Sequence, residues 1–139
     1  MNHPSDKHYN SKASLIYLLI KMSQADGDEN IKELAFIKEI GHRLGLNDEN
    51  ILEIKENKAF ELNLPRNEQE RLYMFFHALQ LVEIDKKILS EEIDLLKKTG
   101  LKLGLNPLLV SDLINLYINH LGKEIDANKL SALITKYLN

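Results

Sequence analysis

Apolar residues recur at helical spacing along almost the whole chain. Within residues 15–25 they occupy one helix face, and Ile16 and Ile20 widen that face until it nearly surrounds the helix, which is typical of a helix in the middle of a core. Segment 71–83 has the same character, whereas the apolar stripe within 31–44 is one-sided and suits an outer helix. No segment alternates apolar and polar residues as a strand does, so the pattern predicts an all-α fold.

Short polar residues mark where the helices begin. Such a residue accepts a hydrogen bond from an otherwise unpaired backbone N–H group at the helix N-terminus. The predicted N-caps are Asp28, Asn47, Asn67, Ser90, Asn106 and Asp126. We therefore expect about seven helices in a single compact bundle, near residues 12–25, 29–44, 48–58, 68–83, 91–103, 107–121 and 127–138.

The chain also repeats itself. The tetrapeptide LGLN occurs twice, 59 residues apart, and eight of the 22 positions in 26–47 recur unchanged at that offset. One helix–turn–helix copy alone would leave its apolar first helix half exposed. The repeat therefore predicts two pseudo-symmetric copies, about 14–54 and 73–114, that pack together.

Four glycines occupy matching positions in the two copies. Gly45 and Gly104 follow helix ends and are predicted to be C-cap residues in the left-handed conformation. Gly41 and Gly100 come earlier, where glycine costs roughly 0.5–1 kcal/mol relative to alanine. That second pair indicates either a close approach between helices or early fraying of the helix end.

Composition narrows the class of protein. The chain has 139 residues, is 44% hydrophobic and contains no cysteine, which suits one domain without disulfides. We expect a domain over 12–139, preceded by a mobile N-terminus over 1–11. The net charge of −3 disfavours nucleic acid as a partner. The longest apolar run, 15–20, is too short to cross a bilayer and no signal peptide is apparent, so we expect a cytoplasmic protein without a transmembrane segment.

The stretch SQADGDENIKE, residues 23–33, is unusually acidic. Asp28 as an N-cap and Glu29 in the first helical turn are explained by helix initiation alone. Asp26 and Glu33 are not, and an Asp and a Glu with the same seven-residue separation recur as Asp85 and Glu92. If the two copies face each other, both pairs converge. Carboxylate oxygens are suitable ligands for hard cations such as Ca²⁺ or Mg²⁺.

An EF-hand does not account for this stretch. Counting from Asp26, the sixth loop position is Ile31, where the loop needs glycine for its sharp turn. The twelfth position is Ile37, where a bidentate glutamate is required. Calcium sensing of the EF-hand kind is therefore not expected.

The order of these features resembles the tellurite-resistance TerB-like family. The resemblance rests on ADGDENIKELAFIKEIGHRLGL, preceded by LIYLLIKMSQ, and on a second copy, LQLVEIDKKILSEEIDLLKKTGLKLGL. It implies an all-helical fold and an acidic patch that holds a divalent metal, Ca²⁺ or Mg²⁺, in a stress-related or tellurite-resistance system. It also implies adaptor roles, because similar domains occur fused to co-chaperone modules. The candidate metal ligands are Asp26, Asp28 and Glu33 in the first copy and Asp85 and Glu92 in the second.

The second copy departs from the family pattern. Lys86 stands where the first copy has Gly27, and Lys87 follows it. Two ammonium groups would compete with a cation for the neighbouring carboxylates. The first copy is therefore the stronger candidate for a metal site.

Three hypotheses about function follow. The first is a non-enzymatic domain that binds a divalent cation weakly through its acidic surface. The second is a metal-free interaction module that docks basic segments of a protein partner through that surface. The third is an enzyme with paired carboxylates, which would require a buried carboxyl group with a raised pKa and a substrate cleft. His77 lies on an apolar helix, and we expect it to be a core histidine with a hydrogen-bond partner.

Overall fold

A computed structural model describes residues 7–25, 30–86 and 88–137, with side chains from residue 11 onward. The described residues form helices and connecting turns and contain no strand, which confirms the all-α class. The seven α-helices are α1 (Lys7–Gln24), α2 (Ile31–Arg43), α3 (Asp48–Glu56), α4 (Glu68–Val82), α5 (Ser90–Lys102), α6 (Pro107–Asn119) and α7 (Ala127–Tyr137). A short 3₁₀ helix, Glu83–Asp85, extends α4. None of the described helices is long and apolar enough to cross a membrane.

The seven predicted helices are confirmed, with most boundaries within two or three residues of the expected ones. The largest difference is at α1, which begins at Lys7 and not near residue 12. Residues 7–11 of the predicted N-terminal segment are therefore helical. The long irregular stretch before Pro65 also appears, between the end of α3 and the start of α4.

The chain divides into two compact units, Met1–Glu70 and Arg71–Asn139. In the first unit, α1 packs against α2 and α3, which also contact each other. In the second unit, α6 packs against both α5 and α7. The boundary falls three residues into α4, so most of that helix belongs to the second unit.

Between residues 13 and 23, helix α1 is buried nearly all round, as its apolar pattern predicts. Its buried apolar residues are Ala13, Leu15, Ile16, Leu18, Leu19, Ile20 and Met22. The irregular segment before α4 covers part of its remaining surface. There the buried Ser14 hydroxyl accepts a hydrogen bond from the Asn63 N–H at 2.7 Å, and the Tyr17 and Phe60 rings stack with centroids 4.5 Å apart. This segment therefore belongs to the packing of the first unit.

The turn after α2 and the turn after α5 make matching backbone hydrogen bonds. The Gly41 carbonyl accepts from the Leu46 N–H at 2.9 Å, and the Gly100 carbonyl accepts from the Leu105 N–H at 3.1 Å. Gly45 and Gly104 have φ angles of 87° and 70°, which confirms their predicted left-handed conformation. Both turns therefore have the same local structure, while the pseudo-symmetric pairing of the two copies stays a prediction.

Gly41 and Gly100 both lie where another helix approaches closely. A Cβ atom on Gly41 would stand 2.7 Å from Ile51 Cδ1, and one on Gly100 would stand 2.6 Å from Val110 Cγ2. Ile51 and Val110 are themselves 59 residues apart. Both glycines lie inside their helices, so close approach explains them and fraying does not.

Four of the six predicted N-caps are confirmed. Asn47, Asn67, Asn106 and Asp126 each accept a backbone N–H of the following helix. Two predictions are wrong. Ser90 is the first residue of α5, after the extended Leu89, and the N-cap of α2 is Asn30, whose Oδ1 accepts from the Lys32 and Glu33 N–H groups. Asp28, the predicted cap of α2, lies outside the described residues.

Candidate functional site

Glu33 is the only predicted ligand of the first copy that lies within the described residues, because Asp26 and Asp28 fall outside them. It is the third residue of α2, and its side chain is 9% exposed. Its N–H donates to Asn30 Oδ1 at 3.3 Å. A carboxylate at this position is favoured by the partial positive charge of the helix N-terminus. The structure thus places a buried glutamate in the first turn of α2, at the end of the acidic stretch 23–33.

In the second copy, the two predicted ligands have different surroundings. Asp85 is exposed at the end of the 3₁₀ helix, whereas the Glu92 carboxylate accepts the Leu89 N–H at 3.0 Å. That bond is one half of a capping box. The other half is missing, because the leucine side chain has no oxygen that could accept a backbone N–H in return. Glu92 therefore has a structural role in starting α5, which is a second reason for a glutamate at this position of the repeat.

Among the residues that the structure describes, Lys86 is the only non-glycine residue with a positive φ angle. Its φ of 57° and ψ of 28° are left-handed, and its N–H donates to the Glu83 carbonyl at 2.8 Å. Left-handed geometry costs an L-residue roughly 1–2 kcal/mol, which glycine avoids. The matching residue of the first copy is Gly27, outside the described residues. The lysine that stands where the first copy has Gly27 thus occupies a backbone position that favours glycine.

Within the described ranges, no three histidine, aspartate or glutamate side chains gather closely enough to hold a metal ion. Calcium takes six to eight oxygen ligands, and Mg²⁺ usually keeps several waters. A site with one or two carboxylates would therefore complete its coordination with water and backbone oxygens, and its affinity would be modest.

A carboxyl group outside the predicted site residues has a raised pKa. Burial raises the pKa of Glu83, which lies half-buried at the end of α4. Burial, and secondarily the charge of Glu83, raise the pKa of Tyr117 to about 12. The only signal in the sequence was an acidic residue that closes an apolar helix. The structure thus adds Glu83 to the carboxyl groups that the sequence singled out.

His77 has the role that its position predicts. It is buried, and its Nδ1 lies 3.1 Å from Gln80 Oε1. The edge of its ring meets the Tyr73 ring, with centroids 4.4 Å apart. These contacts confirm a core histidine with a hydrogen-bond partner.

An exposed acidic surface lies on α3 and includes none of the predicted ligands. Glu49, Glu53 and Glu56 are exposed on one side of the helix, and Leu52 among them is 51% exposed. The opposite side buries Ile51 and Ile54. We call Glu49, Leu52, Glu53 and Glu56 the acidic face. The sequence signal for it was the i, i+4 and i, i+7 spacing of three glutamates.

The comparisons with known proteins add no relative. No family model, no curated protein and no solved structure matches this chain. The TerB-like resemblance accordingly stays a prediction that rests on the two sequence motifs.

Proposed function

We propose that this chain is a non-enzymatic, TerB-like binding domain that takes up a divalent cation weakly at the acidic stretch 23–33, in a stress-related or tellurite-resistance system. The observation that supports the proposal is the burial of Glu33. Charges interact more strongly where water is partly excluded, so a carboxylate on this buried residue would attract a cation more strongly than an exposed one. Glu33 would be one ligand, and Asp26 and Asp28 would supply the others from the segment before it.

Thermal unfolding with added Ca²⁺, Mg²⁺ or Mn²⁺ tests this proposal. For a Kd of about 1 mM, 10 mM cation stabilises the native state by about 1.4 kcal/mol, which raises Tm by roughly 4 °C in a chain of this size. Glu33→Gln and Asp26→Asn should each abolish the rise. These variants keep the side-chain shape and remove the charge, so the comparison is made between each variant with and without cation.

Glu53→Gln is the matched control, because it removes an exposed carboxylate of the same unit. It should retain the whole rise in Tm. If no divalent cation shifts the Tm of the unaltered chain at this concentration, the metal proposal is wrong. If Glu53→Gln loses the rise as fully as Glu33→Gln, the cation binds elsewhere.

A second candidate function is metal-free docking of basic protein segments, and the acidic face on α3 supports it. Three exposed glutamates and one exposed leucine on a single helix side complement an amphipathic segment that carries lysines beside an apolar residue. Binding would weaken as salt rises, since exposed charges are screened within about 10 Å at 0.1 M ionic strength.

A synthetic helical peptide of lysine and leucine is a suitable probe for this candidate. Fluorescence anisotropy should show binding that the double variant Glu49→Lys/Glu53→Lys removes. Reversing two exposed lysines elsewhere, Lys123→Glu/Lys129→Glu, should leave binding unchanged or slightly stronger. Equal binding to the chain and to the acidic-face variant would exclude this surface.

A further inference from the structure

The second unit carries an exposed surface of the opposite sign. Lys97, Lys98 and Lys102 are exposed near the end of α5, and Leu101 between them is 62% exposed. Residues 97–111 contain no aspartate or glutamate. We call Lys97, Lys98, Leu101 and Lys102 the basic ridge. Its composition is the complement of the acidic face, with lysine where that face has glutamate and one exposed leucine in each.

The matching part of the first unit shows that this surface is not required by the turn. There Arg43 Nη2 donates to Glu39 Oε1 at 2.6 Å, so neighbouring charges one helical turn apart neutralise each other. At the same two positions, 59 residues later, α5 has Lys102 and Lys98.

The second polar pair of the first unit is replaced in the same way. His42 Nε2 and Asp48 Oδ1 lie 2.7 Å apart across the α2–α3 turn. Their counterparts in the second unit are Leu101 and Pro107. The same backbone turn thus carries two hydrogen-bonded polar pairs in the first unit, and two lysines, a leucine and a proline at the matching positions of the second.

Like charges also adjoin one another within each surface. Lys98 and Lys102 stand four residues apart on α5, and Glu49 and Glu53 stand four apart on α3. Like charges at this spacing destabilise an isolated helix. A partner surface of opposite sign removes that repulsion in both helices at once.

We propose that the basic ridge of one copy of this chain docks on the acidic face of a second copy, with α5 antiparallel to α3. The proposal rests on the second candidate function and names the basic segment that the acidic face recognises. In this arrangement Leu101 meets Leu52, lysines flank the contact on one side, and glutamates flank it on the other. The antiparallel direction also pairs the α5 C-terminus with the α3 N-terminus, where the two helix dipoles attract.

The contact between copies is small and therefore weak. Nine residues of α3 span about 13 Å, so the two helix faces bury much less than the roughly 1,200 Å² of a stable interface. Self-association should accordingly depend on protein concentration and decrease as salt rises.

Sedimentation velocity with the whole chain tests the proposal. The sedimentation coefficient should rise with concentration, and it should rise less in high salt. The ridge variant Lys98→Glu/Lys102→Glu and the face variant Glu49→Lys/Glu53→Lys should each weaken self-association about tenfold or more, since each reverses two surface charges. A one-to-one mixture of the two variants should associate again, because each brings the surface that complements the other.

The control variant changes the net charge by the same amount, but at positions outside the basic ridge. Lys123→Glu/Lys129→Glu reverses two exposed lysines of the same unit and should self-associate as the unaltered chain does. All these positions are exposed, so circular dichroism should show unchanged helix content in every variant.

Two results would overturn the inference. One is a sedimentation coefficient that does not change with concentration in the unaltered chain. The other is a mixture of ridge and face variants that stays monomeric. If the lysine–leucine peptide still binds the acidic face in either case, the second candidate function stands and only the identity of its partner is wrong.

Discussion

The turn from α2 to α3 and the turn from α5 to α6 make the same backbone hydrogen bonds, and both place a left-handed glycine after the helix end. Asn47 and Asn106 then cap the next helix in each. The side chains around the two turns differ. At the first turn His42 pairs with Asp48 and Arg43 pairs with Glu39. The matching residues at the second turn are Leu101, Pro107, Lys102 and Lys98.

This difference shows which residues determine the fold and which remain free for binding. The backbone geometry of each turn depends on its glycines, leucines and capping asparagine, and residues 41 and 44–47 recur unchanged as residues 100 and 103–106. The exposed residues between them differ, because Leu101 and Lys102 stand where the first turn has His42 and Arg43. The two turns therefore serve as each other's control for mutations that affect structure and mutations that affect the surface.

The largest difference between the turns is expected on adding a methyl group at the helix crossing. In Gly100→Ala the new Cβ meets Val110 at 2.6 and 2.9 Å from its Cγ atoms and 3.3 Å from its Cβ. Valine is branched and stiff, so overpacking should cost about 2–3 kcal/mol. In Gly41→Ala the nearest atom is the flexible end of Ile51, so the cost should be below about 1 kcal/mol after the gain in helix propensity.

Urea unfolding of both variants measures this difference. The double variant Gly100→Ala/Val110→Ala should recover part of the penalty, because it removes the atoms that clash. Equal losses in Gly41→Ala and Gly100→Ala would mean that the two helix crossings tolerate volume equally, contrary to the distances.

A smaller difference is expected at the left-handed glycines. Alanine at Gly45 or Gly104 should cost about 1–2 kcal/mol, because positive φ places Cβ close to the backbone. Gly104→Ala should cost more, since its Cβ would lie 2.7 Å from Arg71 Nη1, which itself donates to the Leu103 carbonyl at 2.7 Å. A Cβ on Gly45 would have no neighbour within 4 Å.

Arg71→Ala separates the two causes in this second prediction. In that background the extra cost of Gly104→Ala over Gly45→Ala should disappear, leaving only the cost of placing alanine in the left-handed conformation. If the extra cost persists in chemical denaturation of the double variant, Arg71 is not its source.

The helices and turns were predictable because their determinants are local. Apolar period, asparagine caps and Gly-Leu turns are short-range features that a sequence shows directly. The errors arose where two local solutions compete. Asp28 and Asn30 are both good caps two residues apart, and Asn30 accepts the N–H groups that start α2. Leu89 precedes α5 without a capping side chain, because Glu92 supplies the hydrogen bond from inside the helix.

The candidate site was less predictable because burial depends on what packs nearby. The recurrence in the sequence identified Glu33. The burial of Glu33 and the capping role of Glu92 depend on the three-dimensional packing and could not be read from the sequence. The acidic face and the basic ridge were overlooked because a run of charge on a helix is usually a solvated surface. The comparison of the two turns drew attention to the ridge, because Arg43 and Glu39 form an ion pair in the first unit whereas the matching residues of the second are both lysines.

A pH-dependent difference is expected at Glu83, whose counterpart in the first copy is Gln24. Burial raises its folded-state pKa above the ordinary value of 4.5, so the native state binds more protons than the unfolded state between those two values. Stability of the unaltered chain therefore falls as pH rises through the raised pKa. Glu83→Gln should be the more stable protein at neutral pH.

The gain in Glu83→Gln should vanish when the carboxyl group of the unaltered chain is protonated in both states, below its ordinary pKa. Because Glu83 is only half-buried, the effect should be smaller than those of the glycine variants. Urea unfolding at a series of pH values measures it. A gain that is equal at acidic and neutral pH would indicate a packing effect and not an ionisation.

The smallest expected change is a gain of up to about 1 kcal/mol for Lys86→Gly, because glycine adopts the left-handed conformation without the steric cost that lysine bears. It also makes the Asp85 turn match the Asp-Gly dipeptide of the first copy. Lys86→Ala retains the Cβ atom and should show no such gain, which separates backbone strain from loss of the charge. If removal of the ammonium group also frees Asp85 for a cation, the Tm of Lys86→Gly should rise further with Ca²⁺ than that of the unaltered chain. Equal cation responses in the two proteins would assign the second copy a structural role alone.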